Sequence, residues 1–247
     1  MKQENRLLQG GFFISKFMKN TIKHNKIIGV LGGLGPETTS EFYLDLIKTA
    51  QHIRRPAVAI WSLPLNRKKE REYIASGKHS DHYLQELDRG AQRLVRAGVD
   101  FIVIPCNTVH EFHPVLTKAV SIPIPNLIDI AAREVKRRNW KRVLLLATSR
   151  TLQTKLYQTV LKKSSVRISL PTKADQKRLD VLIQKALSFG TTNDAVNFLK
   201  ALQEKAGTKN ILLGCTDLQL LLPPSKQIID SMHELVLHTA MLIKSRN

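Results

Sequence analysis

Only two cysteines occur among 247 residues, far apart and in no Cys-x-x-Cys pair. This excludes a disulfide-stapled scaffold and makes a thiolate metal cluster a poor reading. It suits a reducing compartment, so the expected localisation is cytoplasmic. No apolar stretch approaches the roughly 18–20 residues that cross a bilayer, and no membrane partner is expected. Acidic residues are scarce as well: 20 Asp and Glu stand against 39 Lys and Arg, a net charge of +19. Two basic runs carry part of the excess, NRKKER at Asn66–Arg71 and KRRNWKR at Lys136–Arg142. Such charge attracts nucleic acid or steers an anionic substrate. Neither a zinc-finger nor an RNP-like motif accompanies it, so a solvated basic surface is the expectation and nucleic acid is not an expected partner.

The first 25 residues are basic, mixed and without periodicity. Their apolar run GGFFISKFM is broken by Lys16 and lacks a small-residue cleavage site, which argues against a secretory signal. Residues 1–25 are set aside as an extension, disordered or preceding a true start at Met18.

Hydrophobic residues make up 43% of the chain, enough for a packed core. Short apolar runs predict strands at Lys26–Leu31, Val58–Leu63, Phe101–Ile104, Val143–Leu146, Val166–Leu170 and Ile211–Leu213. Helical spacing predicts helices at Thr39–Ala50, Tyr83–Ala97, Lys177–Leu187, Asn193–Ala206 and Met232–Lys244. Alternating strands and helices imply an α/β fold with mostly parallel sheets. One block opens at Lys26 and closes about 80 residues later in strand–Cys106-Asn107-Thr108. Another opens at Lys141 and closes about 74 residues later in strand–Cys215-Thr216-Asp217. The chain reads as a duplicated half-domain whose two cysteines stand just past strand carboxyl ends, where open α/β sheets hold their chemistry.

The loop Gly32-Gly33-Leu34-Gly35 follows a strand and precedes a helix, a place where backbone N–H groups can meet an anion. Thr38 stands where a dinucleotide loop needs its third glycine, and the Gly-Lys-Ser/Thr of a P-loop is absent, so a small carboxylate fits better than a nucleotide. A tight turn with purely backbone reasons for its glycines is the alternative. At Cys106, a helix start would lower the thiol pKa; an inert buried cysteine is the alternative. A papain-like pairing of Cys106 with His110 is disfavoured, since such hydrolases draw the histidine from distant sequence. The matching places of the only two cysteines favour paired reactive thiols. Two facing thiols suit proton removal from one side of a Cα and delivery to the other. The Gly32–Gly35 backbone, Asn107, Thr108 and Thr216 are candidate donors to the substrate carboxylate. His110 and Asp217 are candidates to stand behind the thiols and orient or tune them.

At these residues the sequence resembles the aspartate/glutamate racemase family. The matching segments are GVLGGLGPETT at Gly29–Thr39, IPCNTVH at Ile104–His110, LLATSRT at Leu145–Thr151, LLGCTDLQLLL at Leu212–Leu222 and IIDSMHELV at Ile228–Val236. The glycine loop alone is weakly specific; the five in order are strongly specific. The resemblance implies two similar parallel-sheet α/β domains related by pseudo-twofold symmetry, with the site in the cleft between them. Residues 26–130 with 225–247 would form the first domain and 131–224 the second. It also implies a cofactor-independent isomerase without pyridoxal phosphate or metal, and a homodimer. Cys106 and Cys215 would be the catalytic acid/base pair, with Asn107, Thr108, Thr148, Thr151 and Thr216 binding substrate. Relatives often carry Glu or His after Gly-Cys-Thr, so Asp217 is a departure. The Gly-Gly-x-Gly-Pro loop resembles that of aspartate racemases, making L- and D-aspartate the first expected substrate and glutamate the second. An anionic side chain needs a cationic partner; Arg71 is the first candidate, with Lys173, Lys177 and Arg150 behind it. The rival readings are another member of the superfamily (hydantoin racemase, maleate isomerase or arylmalonate decarboxylase) and a basic protein that holds an amino acid or RNA without catalysis.

Overall fold

The computed structural model describes residues 26–50, 55–189, 193–222 and 225–244. The expectation for residues 1–25 lies outside the described residues. Strand β1 (Ile27–Gly32) leads into helix α1 (Pro36–Ala50) and strand β2 (Ala57–Ser62). Helices α2 (Arg67–Ser76) and α3 (Ser80–Arg96) follow, and then strand β3 (Phe101–Val103). The three strands run parallel in the order β2-β1-β3, with Ile28 opposite both Val58 and Phe101. A parallel strand paired on both sides and covered on both faces has no solvent side, so it reads as a continuous apolar run. Residues 28–32 of β1 are all buried. Leu31, Ile102 and Ile104 pack on Tyr83, Leu87, Ala91 and Leu94 of α3. Ile28, Val30 and Val103 face the other way, onto Phe42 and Leu46 of α1.

The second half repeats this plan. A 3₁₀ turn at Thr108–Phe112, α4 (His113–Ala119) and α5 (Leu127–Arg137) lead to β4 (Arg142–Leu146). Helices α6 (Ser149–Gln153) and α7 (Leu156–Lys162) lead to β5 (Arg167–Ser169), and α8 (Lys173–Phe189) with α9 (Asn193–Ala206) to β6 (Ile211–Leu213). A second 3₁₀ turn, Thr216–Leu220, precedes β7 (Ile228–Asp230) and α10 (Ser231–Lys244). These strands are also parallel, in the order β5-β4-β6-β7. Leu144, Leu146 and Leu213 pack on Leu179, Phe198 and Leu202, while Val143, Leu145 and Leu212 meet Val135, Tyr157 and Leu161. The fold is the expected pair of parallel α/β units, and β7 is an addition to the second.

The structure moves the expected domain boundaries. A division at residue 130 cuts through α5, whose Leu127 and Ile130 belong to the first core and whose Ile128, Ala131 and Val135 belong to the second. Residues 225–230 also leave the first domain, because β7 pairs with β6 (Ile229 opposite Leu212) and satisfies backbone groups that an edge would leave open. The chain crosses back at Ser231, and α10 then places Met232, Leu235 and Val236 in the first core.

Both basic runs become helix termini. Asn66 caps α2, its side chain accepting from Lys68 N at 2.9 Å and Lys69 N at 3.3 Å. Gly77, at φ 77°, closes the helix through its N–H to the Tyr73 carbonyl. The run 136–142 ends α5: Arg137 and Arg138 each reach Glu134 at 2.6 Å, and Arg138 donates to the carbonyls of Lys226 and Ile228. Cations at a helix carboxyl end meet its partial negative charge. Among the described residues no helix is long and apolar enough to cross a membrane.

Candidate active site

Beyond the carboxyl ends of both sheets lies a cavity of about 160 Å³. The first half contributes Gly33, Leu34, Gly35, Cys106, Asn107 and Thr108 to its wall, and the second contributes Thr148, Cys215, Thr216 and Asp217. Cys106 comes three residues after β3 and Cys215 two residues after β6. The two sheets therefore bring the chain's only thiols into one cleft. Arg71 also lines it but is exposed.

Two expected contact residues do not reach the cavity. A β-carbon on Gly32 would meet Thr39 Cγ2 at 2.3 Å, so this glycine is a packing residue under α1. Thr151 is fully buried behind Thr108 and Thr148, whose hydroxyls lie 3.2 and 3.0 Å from its own. The loop is also a weaker amide cradle than expected. Gly33 and Gly35 adopt φ of 83° and 90°, which L side chains resist. The Gly33 N–H is already used, donating to Thr39 Oγ1 at 3.0 Å. Leu34 and Gly35 lead straight into Pro36, suited to the first turn of α1.

Around Cys106 the surroundings are backbone and imidazole. The N–H groups of Val109 and Thr108 approach the sulfur and favour a thiolate, as expected for a helical start. Burial outweighs them, and the nearby carboxylates of Asp217 and Glu70 add to it, so the thiol is pushed up to about 12. His110 does not touch the sulfur. Its Nε2 accepts from Leu127 N–H at 3.1 Å, which leaves Nδ1 to donate to the Cys106 carbonyl at 2.7 Å. Burial lowers this histidine to about 4, so it is a neutral ring that positions the Cys106 backbone. Asn107 is similarly committed: it donates to Ser231 Oγ at 2.9 Å and accepts from Tyr157 OH at 2.5 Å. Thr108 Oγ1 lies 3.1 Å from Thr148 Oγ1, across the two halves.

Around Cys215 the surroundings are acidic. Its Sγ donates to Asp217 Oδ2 at 3.8 Å. Burial, and then the Asp217 charge, raise this thiol well above its ordinary value. Asp217 itself is pushed up to about 6, chiefly by burial, against the stabilising hydrogen bonds from Thr38 Oγ1 and Cys215. Thr38 belongs to α1, so this bond too spans the cleft.

A third bridge is stronger. Arg150 of α6 donates to Glu111 through Nε at 2.9 Å and Nη2 at 2.5 Å, and Tyr73 OH donates to the same carboxylate at 2.6 Å. Arg150 is thereby occupied, and it is absent from the cavity wall. Lys173 and Lys177 are exposed on α8 and also absent from it. Of the cationic candidates Arg71 alone lines the cavity, joined there by Arg67.

A family model, Asp/Glu/Hydantoin racemase, matches residues 31–239. The chain belongs to the Asp/Glu/hydantoin racemase family. A broad specificity amino-acid racemase, RacX of Bacillus subtilis (strain 168), is 32% identical over 143 residues, covering 55% of this chain and 60% of RacX. The match thus spans less than two thirds of that relative. The structure is similar to that of an aspartate racemase homologue from Pyrococcus horikoshii OT3, with a TM-score of 0.73 at 25% identity over 89% of this chain and all of that one. It also resembles the aspartate racemase of Picrophilus torridus in fold, with a TM-score of 0.72 at 23% identity over 90% of this chain and 95% of that one.

Sequence reasoning missed four acidic and aromatic residues of this family member's cavity: Glu37, Glu70, Tyr73 and Tyr83. Tyr73 and Tyr83 stack with centroids 4.1 Å apart and are each 1% exposed. Among the described residues the Tyr83 hydroxyl has no partner, which costs about 1–3 kcal/mol for a buried polar group. Glu70 is the only acid of its basic run, and that contrast was the available signal.

Proposed function

We propose that the protein racemises a free α-amino acid by moving protons between Cα and two thiols, with no cofactor taking part. The observation that carries this is the convergence of Cys106 and Cys215, one from each sheet, on a single small cavity. The α-carboxylate would be received by the hydroxyls of Thr108, Thr148 and Thr216, and the α-ammonium by Asp217. Ionised Asp217 takes the Cys215 proton, leaving a thiolate that removes the Cα proton from one face. The Cys106 thiol then delivers its proton to the opposite face, helped by the Val109 and Thr108 amides that favour the thiolate it leaves. For the opposite enantiomer the two roles exchange. The oxygen charge that develops on the substrate carboxylate is stabilised by the same hydroxyls.

Aspartate is the substrate favoured by the loop form, with glutamate next. Its side-chain carboxylate would have to find Arg71 or Arg67, both exposed, past the carboxyl groups of Glu37 and Glu70. The homodimer implied by the resemblance belongs to this proposal and is checked by sedimentation. The decisive measurement is Cα–H exchange by NMR in D₂O, with a thiol reductant and no added cofactor. Exchange with appearance of the opposite enantiomer, impaired in Cys106→Ser and Cys215→Ser, is expected. No exchange with any common amino acid would sink the proposal.

A further inference from the structure

We propose that the cavity selects amino acids with a positively charged side chain, received by the Glu70 carboxylate and the Tyr83 hydroxyl. This rests on the racemase reading above and replaces the anionic side chain expected from the loop. Glu70 on α2 and Tyr83 on α3 line the same cavity as Cys106, and both Glu70 and Cys106 are near enough for their charges to act on the Tyr83 hydroxyl. Among the described residues the buried Tyr83 hydroxyl has no partner, and stacking on Tyr73 fixes its ring. Among the described residues the Glu70 side chain meets only the fields of other charges, with no hydrogen bond or ion pair of its own. Glu37, in the same cavity, keeps Oε2 buried and unpartnered, while its Oε1 reaches exposed Arg67 at 3.7 Å.

Two partly buried carboxyl groups, Glu70 and Asp217, thus line the cavity, while Glu37 has a side chain 42% exposed and the two guanidinium-bearing residues Arg67 and Arg71 are exposed. Charges interact more strongly away from water, so the inner set dominates what a bound side chain feels. Every amino acid brings one ammonium, and Asp217 beside Cys215 accounts for it. Glu70 and Tyr83 remain for a second. An ammonium has three donors and no acceptor, and both oxygens here accept. An aspartate or glutamate side chain would instead face like charge. Among the described residues no group of three His, Cys, Asp or Glu side chains is arranged to hold a metal ion. Burial, with Asp217 and Glu37 nearby, pushes Glu70 up to about 7, so an arriving cation would draw it to its ionised form.

The test compares Cα–H exchange rates of the full chain with L-lysine, L-ornithine, L-norleucine, L-glutamate and L-aspartate. The expected kcat/KM is at least tenfold higher for lysine or ornithine than for norleucine, and higher still relative to glutamate. Glu70→Gln is expected to lower the lysine value at least tenfold more than the norleucine value, and Tyr83→Phe to lower it several-fold more. Faster exchange of glutamate, aspartate or norleucine than of both basic amino acids would overturn the proposal while leaving the racemase reading intact. So would equal losses for lysine and norleucine in Glu70→Gln. No exchange with any of the five would overturn this proposal, and the racemase reading falls with it when no other common amino acid exchanges either.

Discussion

Cys106 and Cys215 each follow a strand that pairs with the first strand of its own sheet, β3 beside β1 and β6 beside β4, yet different groups stand behind the two sulfurs. In the first half the neighbours are backbone amides and a neutral imidazole that grips the Cys106 carbonyl. In the second the neighbour is a carboxylate that accepts from Cys215 Sγ and from Thr38 of the other half. Both thiols are pushed up by burial, but among the described residues only Cys215 has a carboxylate within hydrogen-bond reach. The repeated strand order fixes where a thiol stands; the residues that follow it fix how it gains or loses a proton. Two stereochemically opposed steps can thus be served by two unlike devices on one repeated scaffold.

The largest expected effect comes from removing either sulfur. Cys106→Ser and Cys215→Ser should each lower racemisation by about 10²–10⁴-fold, the usual worth of a positioned acid or base. Each should spare slow Cα–H exchange of one enantiomer, and not the same one, because each thiol faces one side of Cα. Loss of exchange for the same enantiomer in both variants would break the two-face assignment.

Asp217→Asn sharpens the contrast between the halves. Asp217 must be ionised to take the Cys215 proton, so the rate should rise with pH through about 6. The variant should lose that rise and run about 10²-fold slower. Stability moves the other way. The folded value of Asp217 lies above that of an exposed carboxyl, so its contribution is present at low pH and lost as pH rises through about 6. At pH 8 the variant should therefore melt about 2–4 °C higher for each 1 kcal/mol of relieved burial. A lower melting temperature at pH 8 would contradict the burial argument.

The smallest catalytic effect is expected at His110→Gln. The ring is neutral above about 4, so the pH–rate profile between 6 and 9 should keep its shape while the rate falls a few-fold. Stability should drop by about 1–3 kcal/mol as the Leu127 N–H and the Cys106 carbonyl lose their partner. The native ring refuses a proton that the unfolded chain accepts, so the wild type loses stability as pH falls from about 6.5 toward 4. Urea titrations at pH 5 and 7 should show that this contribution is gone in the variant. A shifted pH–rate profile would instead make His110 a proton carrier.

Much of the fold was legible because buried parallel strands write themselves as uninterrupted apolar runs, as β1, β3, β4 and β6 do; the edge strands β2 and β5 were read as well, although both carry exposed residues. The seventh, Ile228–Asp230, is three residues long and is held by its pairing with β6. Helices α2, α4, α5, α6 and α7 were missed for related reasons, α4 being only seven residues long. α2 is almost wholly polar, α6 and α7 are five and seven residues long, and α5 is apolar on two faces because it serves two cores. At the site the cysteines, threonines and Asp217 were legible as strand–loop motifs. Glu70 and Tyr83 were not, since one hid in a run of positive charge and the other sat on the apolar face of a helix.

The sequence by itself determined that the chain is α/β, that it repeats a half-domain, and that its two thiols stand at equivalent strand ends. Those are consequences of local periodicity and of residues adjacent in the chain. Only the tertiary structure decided that Gly32 and Thr151 support the cavity, that Arg150 is bound to Glu111, and that Glu70, Tyr83 and Glu37 line one cavity with Cys106. Inward and outward on a polar helix are set by what packs against it, and what packs against α2 comes from elsewhere in the chain.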